Sequence, residues 1–158
     1  MTSELQRAWA AGFIDGEGCL TVVACTAKGC SREQYQGILD VCQAKPAPLD
    51  ALVGLFGGGV RPAGPEGLHY RWRLHGHQAA RVVEAVLPYL VAKRRQAELF
   101  LEFCTLKGTR GKLRSVETMA RQAEILTLFR VLNARRSRHA ERLSESAPEI
   151  EPDLRMVR

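Results

Sequence analysis

The first apolar side chains of the sequence recur every four positions. Leu5, Trp9 and Phe13 share this spacing, which predicts a helix with one apolar face over residues 3–16. Gly18 follows directly and is expected to end the helix, because glycine has a poor helical propensity.

The next segments have strand-like patterns and come in two pairs. Residues 19–26 and 34–43 are rich in β-branched and apolar residues and flank a polar turn, which predicts a first hairpin. Residues 48–56 return to helical spacing, with a proline at the start and three glycines after the end. A second hairpin is predicted from Val60 to Leu74, where polar and apolar residues alternate after a Pro/Gly turn.

The rest of the chain is predicted to be largely helical. Three further helices are expected, at residues 78–87, 92–106 and 115–132. The element order is therefore α, ββ, α, ββ and then helices, which indicates an α+β fold. We interpret residues 1–138 as one domain and residues 139–158 as a mobile tail, because the tail has few large apolar residues.

Composition and charge narrow the class of protein. The 158 residues are 46% hydrophobic and 25% charged, as in soluble globular domains, and no apolar run is long enough to span a membrane. The five cysteines follow no signal peptide, so we expect an intracellular location in the cytoplasm, the nucleoid or an organelle interior. Lys and Arg exceed Asp and Glu by 23 to 17, and basic residues cluster in positions 93–114, which favours a polyanionic partner.

Small residues form a stripe on the first predicted helix. Ala8, Gly12 and Gly16 lie four positions apart and allow a second backbone to approach closely. The stripe fits either a tight contact within the chain or a contact with the same helix of a second copy.

An acid at the end of this helix favours the second copy. If two such helices cross at a two-fold axis, each brings one Glu17 carboxylate to the same place. Two carboxylates ~4 Å apart repel by roughly 4 kcal/mol at an effective dielectric of 20, so a divalent cation is their natural companion. Mg²⁺ prefers carboxylate and phosphate oxygens, and the pattern therefore predicts a hydrolytic phosphodiester site.

Residues 10–18, AAGFIDGEG, resemble the nine-residue motif that names the LAGLIDADG homing endonucleases. They differ from the motif at Ala10, Phe13, Gly16 and Glu17, of which the last keeps an acid. The resemblance implies an αββαββα core with a four-stranded antiparallel saddle over the DNA major groove, here with additional C-terminal helices. Only one copy of the motif is present in the sequence, and members with a single motif are homodimers.

The same resemblance implies an activity and a set of site residues. The expected activity is cleavage of both strands of a long, pseudo-palindromic DNA target, leaving short 3′ overhangs, by an enzyme encoded in an intron or intein. The resemblance assigns metal binding to Glu17 and the Gly16 carbonyl, water ordering to Gln43, and a place near the scissile phosphate to Lys93; it makes Asp15 mainly structural. Mg²⁺ is the expected cofactor, Mn²⁺ is expected to substitute for it, and Ca²⁺ is expected to support binding without efficient cleavage.

Strand alternation predicts which residues face DNA. If Glu17 points towards the DNA, the first strand presents Cys19, Thr21, Val23 and Cys25, and the second presents Gln34, Gln36, Ile38 and Asp40. Glutamine can read adenine, and Asp40 could accept a hydrogen bond from cytosine N4. On the second hairpin Arg71 and Arg73 are expected to meet guanines or phosphates, and Arg61 could join them.

Other functions remain open from the sequence. The same fold serves as a maturase that binds intron RNA, or as a DNA-binding protein without cleavage. A restriction-type site that combines Gln43 and Lys45 with Asp15 is a weaker alternative, and the four histidines have no metal-nuclease spacing.

Overall fold

The computed structural model describes residues 2–25, 34–106 and 115–145, and the side chains of residues 2–24, 35–65, 67–106 and 115–134. The described elements are α1 (Glu4–Glu17), β1 (Gly18–Cys25), β2 (Gln34–Gln43), α2 (Ala47–Phe56), β3 (Val60–Ala63), β4 (His69–His75), α3 (Gly76–Val86), α4 (Arg94–Thr105) and α5 (Val116–Glu145). Short 3₁₀ turns, Pro65–Gly67 and Leu87–Tyr89, precede β4 and follow α3.

The four strands form one antiparallel sheet in the order β1-β2-β4-β3. β1 and β2 pair from Gly18 opposite Val41 to Cys25 opposite Gln34. β4 then pairs with β2 on one side and β3 on the other. The helices pack on one face of this sheet, so the predicted α+β architecture with a four-stranded antiparallel sheet is confirmed.

The core lies between the sheet and the helices. Trp72 of β4 is completely buried, and its indole N–H donates a hydrogen bond to the Gly57 carbonyl at 2.9 Å. Gly58 has a φ of 90°, and a Cβ there would lie 2.9 Å from Leu74 Cδ2. A glycine is therefore needed after α2 both for the backbone conformation and for the close packing on β4.

The start and end of α1 follow from local interactions. Ser3 and Gln6 form a reciprocal capping box at the N-terminus, with Gln6 Oε1 accepting from the Ser3 N–H at 2.8 Å. At the other end Gly18 is the first residue of β1, so the helix ends where the sequence predicts and no loop separates helix from strand. A Cβ on Gly18 would come within 2.7 Å of the Ile14 carbonyl oxygen, which explains the glycine.

The last helix is longer than its periodicity predicts. The pattern indicates an end at residue 132, but α5 continues to Glu145 and so enters the segment that we interpret from the sequence as a mobile tail. No glycine or proline interrupts the sequence between residue 133 and Pro148, and Ala, Arg and Glu are good helix formers. Residues 146–158, like Thr26 of the first predicted strand, lie outside the described part. None of the helices within the described ranges is long and apolar enough to cross a membrane.

Candidate metal and nucleic-acid site

Asp15 lies in the last turn of α1 and holds the segment that leads into α4. Its carboxylate accepts hydrogen bonds from the backbone N–H groups of Val91 (2.6 Å), Ala92 (3.1 Å) and Lys93 (2.9 Å). Successive backbone N–H groups that converge in this way form a concave site for an anion. The fold therefore uses this carboxylate to join α1 to the start of α4.

Lys93 is enclosed at the same corner. Its side chain is 1% exposed, and its ammonium group donates a hydrogen bond to the main-chain carbonyl of Asp15. That carbonyl belongs to the last turn of α1, where the helix dipole favours a cation. The motif resemblance places Lys93 near the scissile phosphate, but in this state the side chain is too enclosed to contact a phosphate directly.

Glu17 and Gln43 lie at one end of the sheet. Glu17 is the last residue of α1 and its side chain is exposed. Among the described residues, none forms a hydrogen bond or ion pair with this carboxylate. Gln43 ends β2, two positions beyond Val41, which is opposite Gly18. The exposed acid, the exposed Gly16 beside it and the half-buried Gln43 therefore share one end of the β1–β2 pair.

The donor set fits a hard cation but is incomplete in one chain. Within the described residues, no three His, Cys, Asp or Glu side chains are grouped so that they could hold a metal ion. A carboxylate and a backbone carbonyl are suitable ligands for Mg²⁺, which completes its octahedron with waters and substrate oxygens. The Glu17 end of one chain can therefore supply part of a Mg²⁺ site.

The sheet face opposite the helices is open along β1. Leu20 and Val22 are buried in the core, whereas Cys19 is exposed and Thr21 and Val23 are half-buried. The alternation of a strand accounts for this division. The β1 residues predicted to face DNA therefore lie on the open face; the side chain of Cys25 is outside the described part.

The corresponding positions of β2 are less uniform. Gln36 and Asp40 are half-buried on the open face, opposite to the buried Leu39 and Val41. Ile38 shares their face but is only 8% exposed, because it lies between the neighbouring strands in the centre of the sheet. It offers little surface to a DNA base, contrary to the expectation from alternation alone. The side chain of Gln34 is outside the described residues.

Three charged side chains form a cluster across β2 and β4. Arg73 Nη2 lies 2.6 Å from Asp40 Oδ2, and Arg71 Nε lies 3.3 Å from Asp40 Oδ1. Arg71 Nε also donates to Cys42 Sγ at 3.2 Å. This hydrogen bond, together with the negative charge of Asp40, raises the pKa of Arg71 above its ordinary value. Asp40 Oδ2 therefore accepts from Arg73, and Oδ1 is buried without a hydrogen-bond partner among the described residues, so neither oxygen is the open acceptor expected for cytosine N4.

Arg61 adds a further positive charge to this face. It is exposed on β3 and lies directly opposite Arg71 of β4. Like charges at directly opposed positions destabilise a sheet. The arrangement therefore favours an anionic partner on the open face, which would offset this repulsion.

The two glycines of the small-residue stripe on α1 are uncovered, whereas Ala8 is half-buried. A Cβ placed on Gly12 or Gly16 would meet no atom within 4 Å. Leu5 and Trp9, on the same side of the helix, are 83% and 43% exposed. Of the two interpretations of the stripe, the described structure contains no tight intramolecular contact there, and the face remains open to a second chain.

Comparison with solved structures identifies the fold. The homing endonuclease I-CvuI, solved on the uncleaved I-CreI target with Mg, has 25% identity and a TM-score of 0.71, with 82% of each chain covered. The archaeal intron-encoded homing endonuclease I-Vdi141I, complexed with DNA, has 14% identity and a TM-score of 0.70, covering 82% of this chain and 84% of the other. The LAGLIDADG homing endonuclease I-SmaMI, bound to cleaved DNA, has 21% identity and a TM-score of 0.63 over 76% of this chain and 42% of the other.

This chain has the LAGLIDADG homing endonuclease fold. The resemblance that rests on residues 10–18 is therefore confirmed in three dimensions. No protein-family model matches the sequence, and no curated protein matches it either. The LAGLIDADG fold is thus recognisable here from one short motif and from the structure.

Sequence reasoning misses two features of this chain. One is the backbone site around Asp15, which joins positions 76 to 78 residues apart in the chain. The other is the pairing of Asp40 with Arg71 and Arg73, which depends on the register between β2 and β4. The signal that the sequence offers for this pairing is an acid and two alternating arginines on different predicted strands.

Proposed function

We propose that this chain is one subunit of a homodimeric, Mg²⁺-dependent endonuclease that cleaves both strands of a long pseudo-palindromic DNA target. The observation that carries the proposal is the exposed Glu17 carboxylate at the end of the uncovered face of α1. One chain offers part of a cation site and an open helix face beside it. A second copy of the chain supplies both what the site lacks and what the face can pack against.

The open α1 face supports the dimer. Gly12 and Gly16 allow two helices to approach closely without displacing any atom of the same chain. A two-fold axis at this contact brings the two Glu17 carboxylates together at the ends of the paired helices. Their mutual repulsion is then relieved by divalent cations.

The residues at this corner have distinct proposed roles. Glu17 and the Gly16 carbonyl hold Mg²⁺, which when bound lowers the pKa of a water nucleophile and stabilises the leaving oxygen. Gln43 orders the attacking water by hydrogen bonding. Lys93, fixed against α1, contributes positive charge that stabilises the developing phosphate charge without direct contact.

The structural neighbours support DNA as the substrate. I-CvuI was solved on its DNA target with Ca and on the I-CreI target with Mg, and I-Vdi141I was solved with DNA. The charges of the open sheet face support this choice, because Arg61, Arg71 and Arg73 add positive charge to the face that we propose meets the major groove. Two cation sites across the minor groove would leave short 3′ overhangs.

The test begins with selection of a binding site from random DNA in Ca²⁺, followed by cleavage of the selected site in Mg²⁺. Wild type should cut both strands. Glu17→Gln should still bind the site, and without divalent cations it should bind at least as tightly as wild type, because it removes a negative charge near phosphates. In Mg²⁺ it should cut at least about a hundredfold more slowly.

A matched control is Glu4→Gln. It removes the same charge from an exposed residue at the opposite end of α1 and should cut at the wild-type rate. Cleavage by Glu17→Gln at the wild-type rate would contradict the proposed mechanism. Specific binding without cleavage by wild type would identify a non-cleaving DNA-binding protein, and tighter binding to intron RNA than to any DNA would identify a maturase.

A further inference from the structure

In the cluster of Asp40, Arg71 and Arg73, the acid and the arginines differ in their depth below the surface of the sheet. The arginine side chains of Arg71 and Arg73 are 40% and 38% exposed, whereas the Asp40 side chain is 15% exposed. Asp40 Oδ1 is itself buried. The carboxylate thus lies beneath the two guanidinium groups, and a molecule approaching this face contacts the arginines first.

The cross-strand positions explain why both arginines reach one acid. Arg73 is directly opposite Asp40, and Arg71 is opposite Cys42, which makes it the diagonal neighbour of Asp40 on the same face. Residues two apart on one strand are separated by about 7 Å, close to two base-pair steps of DNA. The hydrogen bond to Asp40 holds the guanidinium group of Arg73 in place, and the ion pair with Asp40 together with the hydrogen bond to Cys42 holds that of Arg71.

Fixed arginines recognise different chemistry from mobile ones. A guanidinium group that is free to rotate meets phosphates wherever they lie, which adds affinity but no sequence information. A guanidinium group held in one orientation presents its planar fork to the two acceptors of guanine, O6 and N7, in the major groove.

We infer that Asp40 is a positioning residue that holds Arg71 and Arg73 for reading G·C base pairs in each half of the target. This inference rests on the proposed function only in taking double-stranded DNA as the ligand of the sheet face. Asp40 also lowers the affinity for DNA of unrelated sequence, since it neutralises part of the positive charge beside the phosphates. The carboxylate therefore contributes to specificity by geometry and by repulsion together.

The test compares base preference and non-specific affinity in Asp40→Asn and wild type. Each protein is passed through the same binding-site selection in Ca²⁺, and affinities for the selected and an unrelated duplex are measured over a range of salt. Wild type should select G·C pairs at certain positions of the site. Arg71→Ala or Arg73→Ala should lose the preference at these positions. Asp40→Asn should lose at least about tenfold of its discrimination at those positions, while its affinity for the unrelated duplex rises severalfold.

Two variants keep the test decisive. Glu102→Gln removes a carboxylate from a different ion pair, in which Glu102 Oε1 lies 2.6 Å from Arg121 Nε in the helical layer. This variant should leave base preference unchanged. Arg73→Lys keeps the charge but removes the planar fork, so it should weaken the preference for guanine while retaining non-specific affinity. If Asp40→Asn does not fold, this second variant still shows whether a fixed guanidinium fork reads guanine.

Three results would overturn the inference. They are full discrimination in a folded Asp40→Asn, an unchanged guanine preference in Arg73→Lys, and a wild-type site without arginine-dependent G·C positions. A failure of the proposed nuclease would look different, because binding and base preference would follow the prediction while no DNA is cut in Mg²⁺.

Discussion

Two acids of the same motif, two residues apart, have opposite environments. Asp15 is engaged by three backbone N–H groups, whereas the carboxylate of Glu17 is exposed at the helix end. A carboxylate that accepts several hydrogen bonds contributes to folding, while an exposed one is available to a cation. The motif therefore combines a structural acid with a candidate metal ligand in one turn of helix.

Replacing the structural acid should lower stability. In Asp15→Asn the side chain keeps its shape but loses the charge that strengthens the hydrogen bonds from Val91, Ala92 and Lys93. We expect a loss of about 1–3 kcal/mol in the free energy of unfolding, measured by urea denaturation. Glu84→Gln, at an exposed position of α3, should change it by less than about 0.5 kcal/mol. Equal stability of the two variants would mean that Asp15 is not a structural anchor.

At the scale of elements, α1 has one covered and one uncovered side. Ala10, Ala11 and Ile14 are buried against the sheet and its neighbours, whereas the side with Gly12 and Gly16 leaves open space within the same chain. Ion pairs hold other helices more conventionally: Arg121 of α5 contacts Glu102 of α4, and its hydrogen bonds lower the pKa of that carboxyl. The open face of α1 therefore predicts assembly with a second chain.

A large residue at Gly12 should separate assembly from folding. Gly12→Leu has room in the single chain and improves helical propensity, so the folded chain should be at least as stable. In the proposed dimer the leucine would collide with the partner helix. Sedimentation at micromolar concentration should show a dimer for wild type and a folded monomer for Gly12→Leu, and the monomer should lose specific DNA binding.

The control for this substitution is Ala123→Leu, at an exposed position of α5. It introduces a similar apolar side chain away from α1 and should remain dimeric. A dimeric Gly12→Leu with unchanged DNA binding would show that the small-residue face of α1 is not the interface.

Local periodicity predicts the helices and strands well. Features that depend on contacts between distant parts of the chain cannot be predicted from it. The face of each strand follows from alternation, as Leu20 and Thr21 show. Alternation does not predict the near-complete burial of Ile38 or the ion pairs of Asp40. Both depend on which residues of the neighbouring strands lie alongside. The enclosure of Lys93 is equally hidden, since it requires the docking of α4 on the end of α1.

At the scale of the whole molecule, charge and hydrophobic burial are divided between the two faces of the sheet. One face packs on the helices through residues such as Trp72, and the other carries the arginines of β3 and β4. An excess of positive charge on one face gives DNA binding that weakens steeply with salt, because counterions are released from the phosphates.

Arg61 allows this division to be tested. Arg61→Gln should weaken DNA binding and reduce the slope of log affinity against log salt by about 0.9 for each phosphate that is no longer neutralised. Its free energy of unfolding should stay equal or rise, because the opposed Arg71 loses a like-charged neighbour. Arg81→Gln, which is exposed on α3 in the helical layer, should keep the wild-type slope. Identical slopes for wild type and Arg61→Gln would argue against phosphate binding at this position.

No loop separates α1 from β1, so the helix and the strand are expected to move together as one unit. Glu17 ends the helix and Gly18 begins the strand, so a tilt of α1 is passed to the edge of the sheet without a hinge to absorb it. In the proposed dimer the crossing angle of the two helices would therefore set the separation of the two sheets along the DNA. The number of base pairs between the half-sites would then be encoded in the packing of α1, in a helix that itself contributes no base-reading residue.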